Sequence, residues 1–166
     1  MIIPKTLKSA ALSGNLDATS LFLKRGGNPN QKVSTGTLLQ HVIRHNFTEI
    51  AILLMEYGAE VNTQDKFDNT PLHEAAKNGN VILVKHLLSK NANILIKNFE
   101  GKTPGFIAAE LGFLIVARLL HPAVQTTFVN VPSSFFKFDQ RTIKNAEKVE
   151  IGIDPSFIRG IQNFNF

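Results

Sequence analysis

A ten-residue block that returns after 33 residues constrains the fold of this chain more than any other feature of the sequence. The block reads TPLHEAAKNG from Thr70 to Gly79, and it returns as TPGFIAAELG from Thr103 to Gly112. A unit repeated every 20 to 50 residues or so cannot bury its own apolar face and must stack on similar neighbours. The period therefore predicts an elongated stack of like units.

The letters of the block predict a helix with defined ends. Thr70 suits the N-cap, because its hydroxyl can bond to a free backbone N–H, and Pro71 suits the first helical position. Ala75 and Ala76 are small enough to let a neighbouring helix approach closely. Gly79 is expected to end the helix in the left-handed conformation. A second helix is predicted over 81–89.

The same frame fits two segments upstream. Thr37 to Asn46 occupies the block position one period before Thr70, and Leu7 to Gly14 fits one step further back. Of these units, only the one that begins near residue 66 has the full pattern. We therefore predict a repeat domain over 1–122, with four repeats at about 4–32, 33–65, 66–98 and 99–122.

The 33-residue period and the Thr-Pro-Leu-His opening resemble the ankyrin repeat family. This resemblance implies an all-α solenoid of stacked helix-turn-helix units with short β-hairpin fingers. It also implies a concave groove, built from the fingertips and the first helices, that binds other proteins. In this family His73 would tie neighbouring repeats together by hydrogen bonds.

The family's variable positions supply the predicted partner-binding side chains. Carried onto this chain, they are Lys66, Phe67, Asn69, Lys77 and Asn78 in the third repeat, Phe99, Glu100, Lys102, Glu110 and Leu111 in the fourth, and Arg44 and His45 in the second. Phe67 and Phe99 are predicted anchors on neighbouring fingers, because aromatic residues are enriched among binding hot spots. The alternative is that each phenylalanine packs on its own hairpin or under the adjacent finger.

One asparagine resembles a modification site. Asn62, which follows Glu60 and Val61, is similar to the asparagine that intracellular hydroxylases modify in ankyrin repeats. The alternative is a structural role, in which the side chain braces the finger.

Composition excludes several classes of protein. The chain has no cysteine, which excludes disulfides and thiolate zinc sites and suits a reducing compartment. The sequence does not start with a basic segment and an apolar run, and the stretch from Gly105 to Leu120 is too short to span a bilayer. We expect an intracellular, cytoplasmic protein without membrane insertion. The net charge of +5 looks spread along the chain, and no basic run interleaves with aromatics, so nucleic acid is not an expected partner.

Catalytic and metal-binding motifs do not survive inspection. His73-Glu74 begins like a zinc protease helix, but Lys77 stands where the second histidine would be. His41 and His45 could place two metal ligands on one helical face, but no third ligand is evident. A partner contact or a solvated surface are the alternatives for His45. We therefore predict a non-enzymatic protein with no catalytic residue, no metal and no cofactor.

The period stops at Pro122, and the last 45 residues contain seven of the 13 phenylalanines. Such aromatic content is unusual for a disordered tail. We expect residues 123–166 to fold over the fourth repeat as a cap, with a strand at 128–131 and helices at about 139–148 and 154–161. The alternative is a binding segment or part of a second domain.

Together these features predict a protein-protein interaction module that is monomeric when free and acts as an adaptor, scaffold or inhibitor. The abundance of Asn, Lys, Ile and Phe is typical of an AT-rich genome. In this respect the chain resembles ankyrin proteins that intracellular bacteria or viruses direct against host factors. The alternative is a targeting fragment of a larger modular protein, in which the repeats deliver a catalytic or degradation-linked domain.

Overall fold

The computed structural model describes residues 5–121, so the predicted cap of residues 123–166, with its strand and two helices, lies outside the described residues. Within residues 5–121 the chain forms eight helices and one two-stranded hairpin. These elements are α1 (Leu7–Leu12), α2 (Leu16–Lys24), β1 (Lys32–Val33), β2 (Gly36–Thr37), α3 (Leu38–Arg44), α4 (Thr48–Glu56), α5 (Pro71–Lys77), α6 (Val81–Ser89), α7 (Pro104–Glu110) and α8 (Leu114–Leu119).

The helices form four consecutive pairs. The first helices, α1, α3, α5 and α7, pack on one another in chain order, and the second helices, α2, α4, α6 and α8, form a parallel row beside them. The hairpin pairs Lys32 with Thr37 and Val33 with Gly36 in an antiparallel ladder. The predicted all-α solenoid with short hairpin fingers is confirmed.

Each first helix has the predicted ends. Threonine is the N-cap in every case, and the hydroxyl of Thr37 accepts from the backbone N–H of Gln40 at 3.2 Å. Gly79 follows α5 with a φ of +64°, the left-handed conformation expected for it. Asn46 takes the corresponding place after α3 with a φ of +59°, since asparagine tolerates this region better than most residues do. The predicted helix over 81–89 is α6.

The apolar core runs along the stack between the two rows of helices. Leu38, Leu54, Leu72 and Leu83 are all fully buried, as is the pair of alanines in α5. Small side chains in α5 let α3 and α7 approach it closely from either side. Each repeat thus buries its apolar face mainly against its neighbours.

Two aromatic residues lock successive repeats at the turn between the helices of a pair. The ring of Phe47 lies over Gly14, and the ring of Phe113 lies over Gly79, so closely that a Cβ on Gly79 would be 2.5 Å from the ring. In the third repeat Asn80 occupies this position and instead donates hydrogen bonds to polar atoms of the second repeat. The sequence analysis did not identify these contacts.

Candidate partner-binding surface

Two polar side chains shape the fingers of the third and fourth repeats. Oδ1 of Asp65 accepts from the backbone N–H of Phe67 at 2.8 Å and of Asn69 at 3.0 Å. One period later, Oδ1 of Asn98 accepts from the N–H groups of Glu100 and Lys102 at 3.1 and 3.0 Å. Such side-chain bonds to nearby backbone stabilise tight turns. Asp65 and Asn98 therefore fix the shape of these two fingertips.

Phe67 and Phe99 contact each other across the two fingers. The N–H of Phe99 donates to the carbonyl of Phe67 at 3.1 Å, and the ring centroids are 5.8 Å apart at an angle of 44°. Nζ of Lys66 lies 4.8 Å from the ring centroid of Phe67. Even so, Phe67 is 44% exposed and Phe99 is 63% exposed. We call Lys66, Phe67 and Phe99 the finger ridge: it is held in place by cross-finger packing, yet nearly half of Phe67 and more than half of Phe99 stay exposed.

Asn69 does not belong to this accessible surface. It is only 3% exposed, and its Oδ1 accepts from Nδ2 of Asn98 at 3.2 Å. Its carbonyl accepts from Nε2 of Gln40 at 2.6 Å. The expectation that Asn69 contacts a partner is corrected, because its side chain is used to join the two fingers.

An ion-pair network lies where the second and third repeats meet. Arg44 places Nη2 3.2 Å from Oδ2 of Asp65 and 3.0 Å from Oε1 of Glu74. The two carboxylate side chains are almost fully buried, whereas that of Arg44 is 33% exposed. The hydrogen bond with Glu74 is the largest cause that raises the pKa of Arg44, and it outweighs the opposing effect of burial. Arg44, a predicted partner contact, is thus mainly a link between repeats.

Two predicted partner contacts, Lys77 and Asn78, lie at the end of α5 and differ in how strongly their polar groups are bonded within the chain. Lys77 lies 3.7 Å from Glu74 and remains 39% exposed. Asn78 is exposed, but its Nδ2 donates to the carbonyl of Ile43 at 2.6 Å, so the amide is already engaged. Of these predicted contacts, Lys77 is the more accessible side chain.

The histidines of α3 form a row with Phe47. The ring centroids of His41 and His45 are 4.5 Å apart, and His45 lies 6.1 Å from Phe47. Burial lowers the pKa of His41, and the nearby charges of His45 and Arg44 lower it further. His45 itself is exposed. Among residues 5–121, no group of three or more potential ligands is arranged to hold a metal ion.

The predicted contacts of the fourth repeat form an exposed cluster. Nζ of Lys102 lies 2.8 Å from Oε2 of Glu110 and 3.1 Å from Oε2 of Glu100. The hydrogen bond with Glu110 is the largest cause that raises the pKa of Lys102. Leu111, at the end of α7, is 55% exposed. This part of the surface combines paired charges with an uncovered leucine.

Asn62 braces consecutive exit turns. Its Oδ1 accepts from the N–H of Asn93 at 2.8 Å, and its Nδ2 donates to the carbonyl of Asn91 at 3.2 Å. Asn30 makes the matching pair of bonds one repeat earlier, with Glu60 and Gly58. The structural role expected for Asn62 is confirmed. Its modification stays a prediction.

His73 ties the third repeat to the fourth, as predicted. Nδ1 accepts from the N–H of Thr70 at 3.0 Å, and Nε2 lies 3.1 Å from the carbonyl of Lys102, to which it donates. A carbonyl can only accept, so the ring is the neutral tautomer with its proton on Nε2. Complete burial is the main cause that lowers its pKa.

Fold and surface together define a repeat solenoid whose third and fourth fingers present exposed aromatic side chains. None of the helices between residues 5 and 121 has the length and apolar character needed to cross a membrane. The family model described as ankyrin repeats (3 copies) matches residues 7–98 and 57–131. The chain belongs to the ankyrin repeat family.

Curated relatives have the same repeats but different names. Cyclin-dependent kinase inhibitor 2A of Homo sapiens is 32% identical over 122 residues, which are 73% of this chain and 78% of that protein. Cyclin-dependent kinase 4 inhibitor B of Rattus norvegicus is 30% identical over 118 residues, 70% of this chain and 91% of that protein. Inversin of Homo sapiens is 39% identical over 101 residues, 59% of this chain and 10% of that protein.

Proposed function

We propose that this protein is a non-enzymatic interaction module that binds a protein partner through its groove and fingertips, with the finger ridge as the main anchor. The observation that carries the proposal is the exposure of Phe67 and Phe99 despite their packing against each other. A side chain needed only for packing gains most when it is fully buried. The ridge instead leaves two large apolar faces side by side in water, as binding surfaces do.

The geometry of the ridge favours tight binding. The finger turns are held by Asp65 and Asn98, and the ridge itself by the backbone bond from Phe99 to Phe67. A preorganised surface loses little conformational freedom when a partner docks, which leaves more of the contact energy for affinity. Lys77 on the adjacent first helix adds a charged contact at the edge of the anchor.

The relatives suggest a role but do not single out one partner. The names of two of them mark them as inhibitors of cyclin-dependent kinases, and their match spans most of their length. Inversin is more nearly identical to this chain and has a different name. Similarity thus follows the repeat, while partner choice depends on variable side chains such as those of the ridge. An intracellular adaptor, scaffold or inhibitor fits these observations, and a protein kinase is the first partner class to test.

Two settings are compatible with this activity. Composition favours a chain directed by an intracellular bacterium or virus against a host protein, whereas an endogenous scaffold would work in its own cytosol. A chain that delivers a catalytic or degradation-linked domain is the alternative to a free-standing module. The same surface would serve in each setting, so the test below addresses the surface.

The test is affinity capture with the tagged full chain and with a Phe67→Ala/Lys77→Ala double variant. A true partner is captured by the wild type and lost with the variant. The purified partner is then titrated against Phe67→Ala and Phe99→Ala, each expected to weaken binding by more than about 1 kcal/mol, or roughly fivefold. Thermal midpoints should stay nearly unchanged.

The matched control is Ile82→Ala, which removes a similarly exposed apolar side chain, 60% exposed, from the second helix α6. It should leave affinity unaltered. If the ridge variants lose stability and affinity in equal measure, the phenylalanines are packing residues and the proposed anchor is wrong.

A further inference from the structure

The positive charge of the described chain is concentrated in the first repeat. Residues 5–32 contain five basic side chains and one acidic side chain, Asp17, whereas residues 33–121 contain eight of each. The expectation that the excess is spread along the chain is therefore wrong. We call the five cations of the first repeat the basic end: Lys5, Lys8, Lys24, Arg25 and Lys32.

The topology brings these five residues to the same end of the first repeat. Helix α1 begins at Leu7, and α2 returns to end at Lys24, so both chain segments meet there. The side chain of Leu7 lies against the turn at Gly27, since a Cβ built on this glycine would be 3.2 Å from Cδ2 of Leu7. Lys32 then opens the first hairpin. All five cations are exposed.

The ion pairs show that these charges are used differently from those elsewhere. Every ion pair found among residues 5–121 joins side chains at or beyond Arg44, and none involves the basic end. Four cations of the later repeats, Arg44, Lys77, Lys90 and Lys102, are instead paired with neighbouring carboxylates. Exposed like charges without counter-charges repel one another, and they raise the local concentration of anionic ligands.

Other side chains near the basic end indicate which kind of anion it suits. Single-stranded nucleic acid is typically held without sequence preference by cations together with aromatic side chains on which the bases stack. Phe22 is the one aromatic residue in 5–32, and it packs against the core. An acidic polypeptide needs no such platform, because carboxylates pair with lysine and arginine directly.

We infer that the protein partner carries an acidic segment that lies over the basic end while its apolar anchor occupies the finger ridge. This inference rests on the proposed function and adds the orientation in which the partner lies along the stack. Repeats with no net charge and an exposed apolar ridge lie towards one end of the stack, and the five cations of the basic end lie at the other. A partner with the matching asymmetry can dock in one orientation only, and its encounter is steered by charge.

The experiment uses the full chain and a fluorescein-labelled decaglutamate peptide, with fluorescence anisotropy read at about 50 mM salt, where exposed charges are weakly screened. Lys8→Glu/Arg25→Glu is expected to lower affinity about tenfold relative to wild type, with a steeper salt dependence for the wild type. Lys85→Glu/Lys97→Glu makes the same change in net charge at two exposed cations of the third repeat. This control should lose less than about twofold.

A neutral pair, Lys8→Gln/Arg25→Gln, keeps the test valid should charge reversal unfold the first repeat; it is expected to lose about threefold. Equal losses in the basic-end and control variants would overturn the inference, because net charge alone would then explain binding. So would tighter binding of a ten-residue oligothymidylate, or of vesicles containing phosphatidylserine, than of decaglutamate.

A variant of the finger ridge distinguishes a failure of this inference from a failure of the proposed function. Phe67→Ala should leave decaglutamate affinity unchanged, since that peptide offers no apolar anchor. If decaglutamate fails to bind while capture still depends on the ridge, only the acidic segment is refuted. If capture does not depend on the ridge, the proposed function fails whatever the peptide does.

Discussion

The third and fourth repeats have the same block of letters but use it differently. Helices α5 and α7 are both seven residues long, and each begins with a threonine cap followed by proline. In the third repeat His73 and Glu74 are buried and bonded to neighbouring repeats. In the fourth repeat Phe106 stands in place of His73 and is 38% exposed.

Local sequence therefore determines where each helix begins and ends, whereas the adjacent repeats determine which of its side chains are buried and hydrogen-bonded. Within residues 5–121 the third repeat is flanked on both sides and the fourth on one side only. A polar residue between two repeats can bond to both, so burial costs it little. Removing a side chain that is buried between two repeats should therefore be costly, whereas removing one from the exposed surface of the fourth repeat should be mild.

The largest difference is expected for leucines. Leu72→Ala removes a fully buried side chain, and it should lower the free energy of unfolding by about 3 kcal/mol through lost burial and a residual cavity. Leu111→Ala in the fourth repeat removes a side chain that is 55% exposed, and it should cost less than about 0.5 kcal/mol. Urea denaturation followed by circular dichroism measures both, and similar costs would mean that burial does not distinguish the two repeats.

Ion pairs should give the next largest difference. Arg44→Ala leaves the carboxylates of Asp65 and Glu74 buried without their main partner, and it should cost about 2 kcal/mol of unfolding free energy. Lys102→Ala breaks two exposed pairs and should leave the unfolding midpoint unchanged, because water replaces the contacts. Adding about 0.5 M salt should reduce the loss for Arg44→Ala only slightly, since the two carboxylates of this network between the second and third repeats are almost fully buried. A loss for Lys102→Ala as large as that for Arg44→Ala would contradict this view.

Glycines at the ends of the first helices allow a third comparison. Gly79→Ala and Gly112→Ala both place a Cβ at a positive φ, +64° and +78°. Such strain costs roughly 1 kcal/mol in each case. Only Gly79 is covered by the ring of Phe113, so its replacement should cost about 1 kcal/mol more. Restoring the space with Phe113→Leu in the Gly79→Ala background should recover part of that difference, and no recovery would exclude the ring as its cause.

The sequence predicted what depends on local chemistry and missed what depends on distant partners. The cap at Thr70, the turn at Gly79 and the span of α6 follow from a few adjacent letters, and the structure agrees. The position of Asn69 in the finger predicts a place on the binding surface, but its side chain is buried against Asn98, a residue 29 positions away. The role of Asp65 in the ion-pair network could not be predicted from its neighbours in sequence, because its partner Arg44 lies 21 residues earlier.

Charge illustrates the same limit. The net charge of +5 for the whole chain does not reveal the excess in the first repeat, which becomes visible only when charges are compared repeat by repeat. The openness of Phe67 and Phe99 could not be read from their letters either, because it depends on how two fingers pack. Periodicity therefore predicts that the repeats stack, whereas the exposure and charge of their surface can be described only when the contacts between repeats are known.

The smallest effect is expected for the change in unfolding free energy with pH that His73 causes. Phe106, at the equivalent position of the fourth repeat, has no ionisable group and cannot cause such a change. The pKa of His73 is lowered in the folded chain, mainly by burial, and in the unfolded chain it should be near about 6.5. Below that value the unfolded state binds more protons than the folded state, so stability falls as the pH falls. Above it both states are neutral and the contribution to stability is constant.

The neighbours of His73 explain why protonation is resisted. A proton on Nδ1 would face the N–H of Thr70, which now donates to that nitrogen. The charge of Lys77 opposes protonation, whereas Glu74, Asp65 and the carbonyl of Lys102 favour it without overcoming burial. Unfolding free energies compared at about pH 7.5 and 5.5 should therefore show a loss at the lower pH. His73→Gln should remove more of this loss than His41→Gln does, because the His41 ring is only partly buried. If His73→Gln leaves the loss of unfolding free energy at about pH 5.5 unaltered while His41→Gln abolishes it, the acid-sensitive element is the row of histidines on α3. The hydrogen bonds of His73 between repeats would then not be the cause.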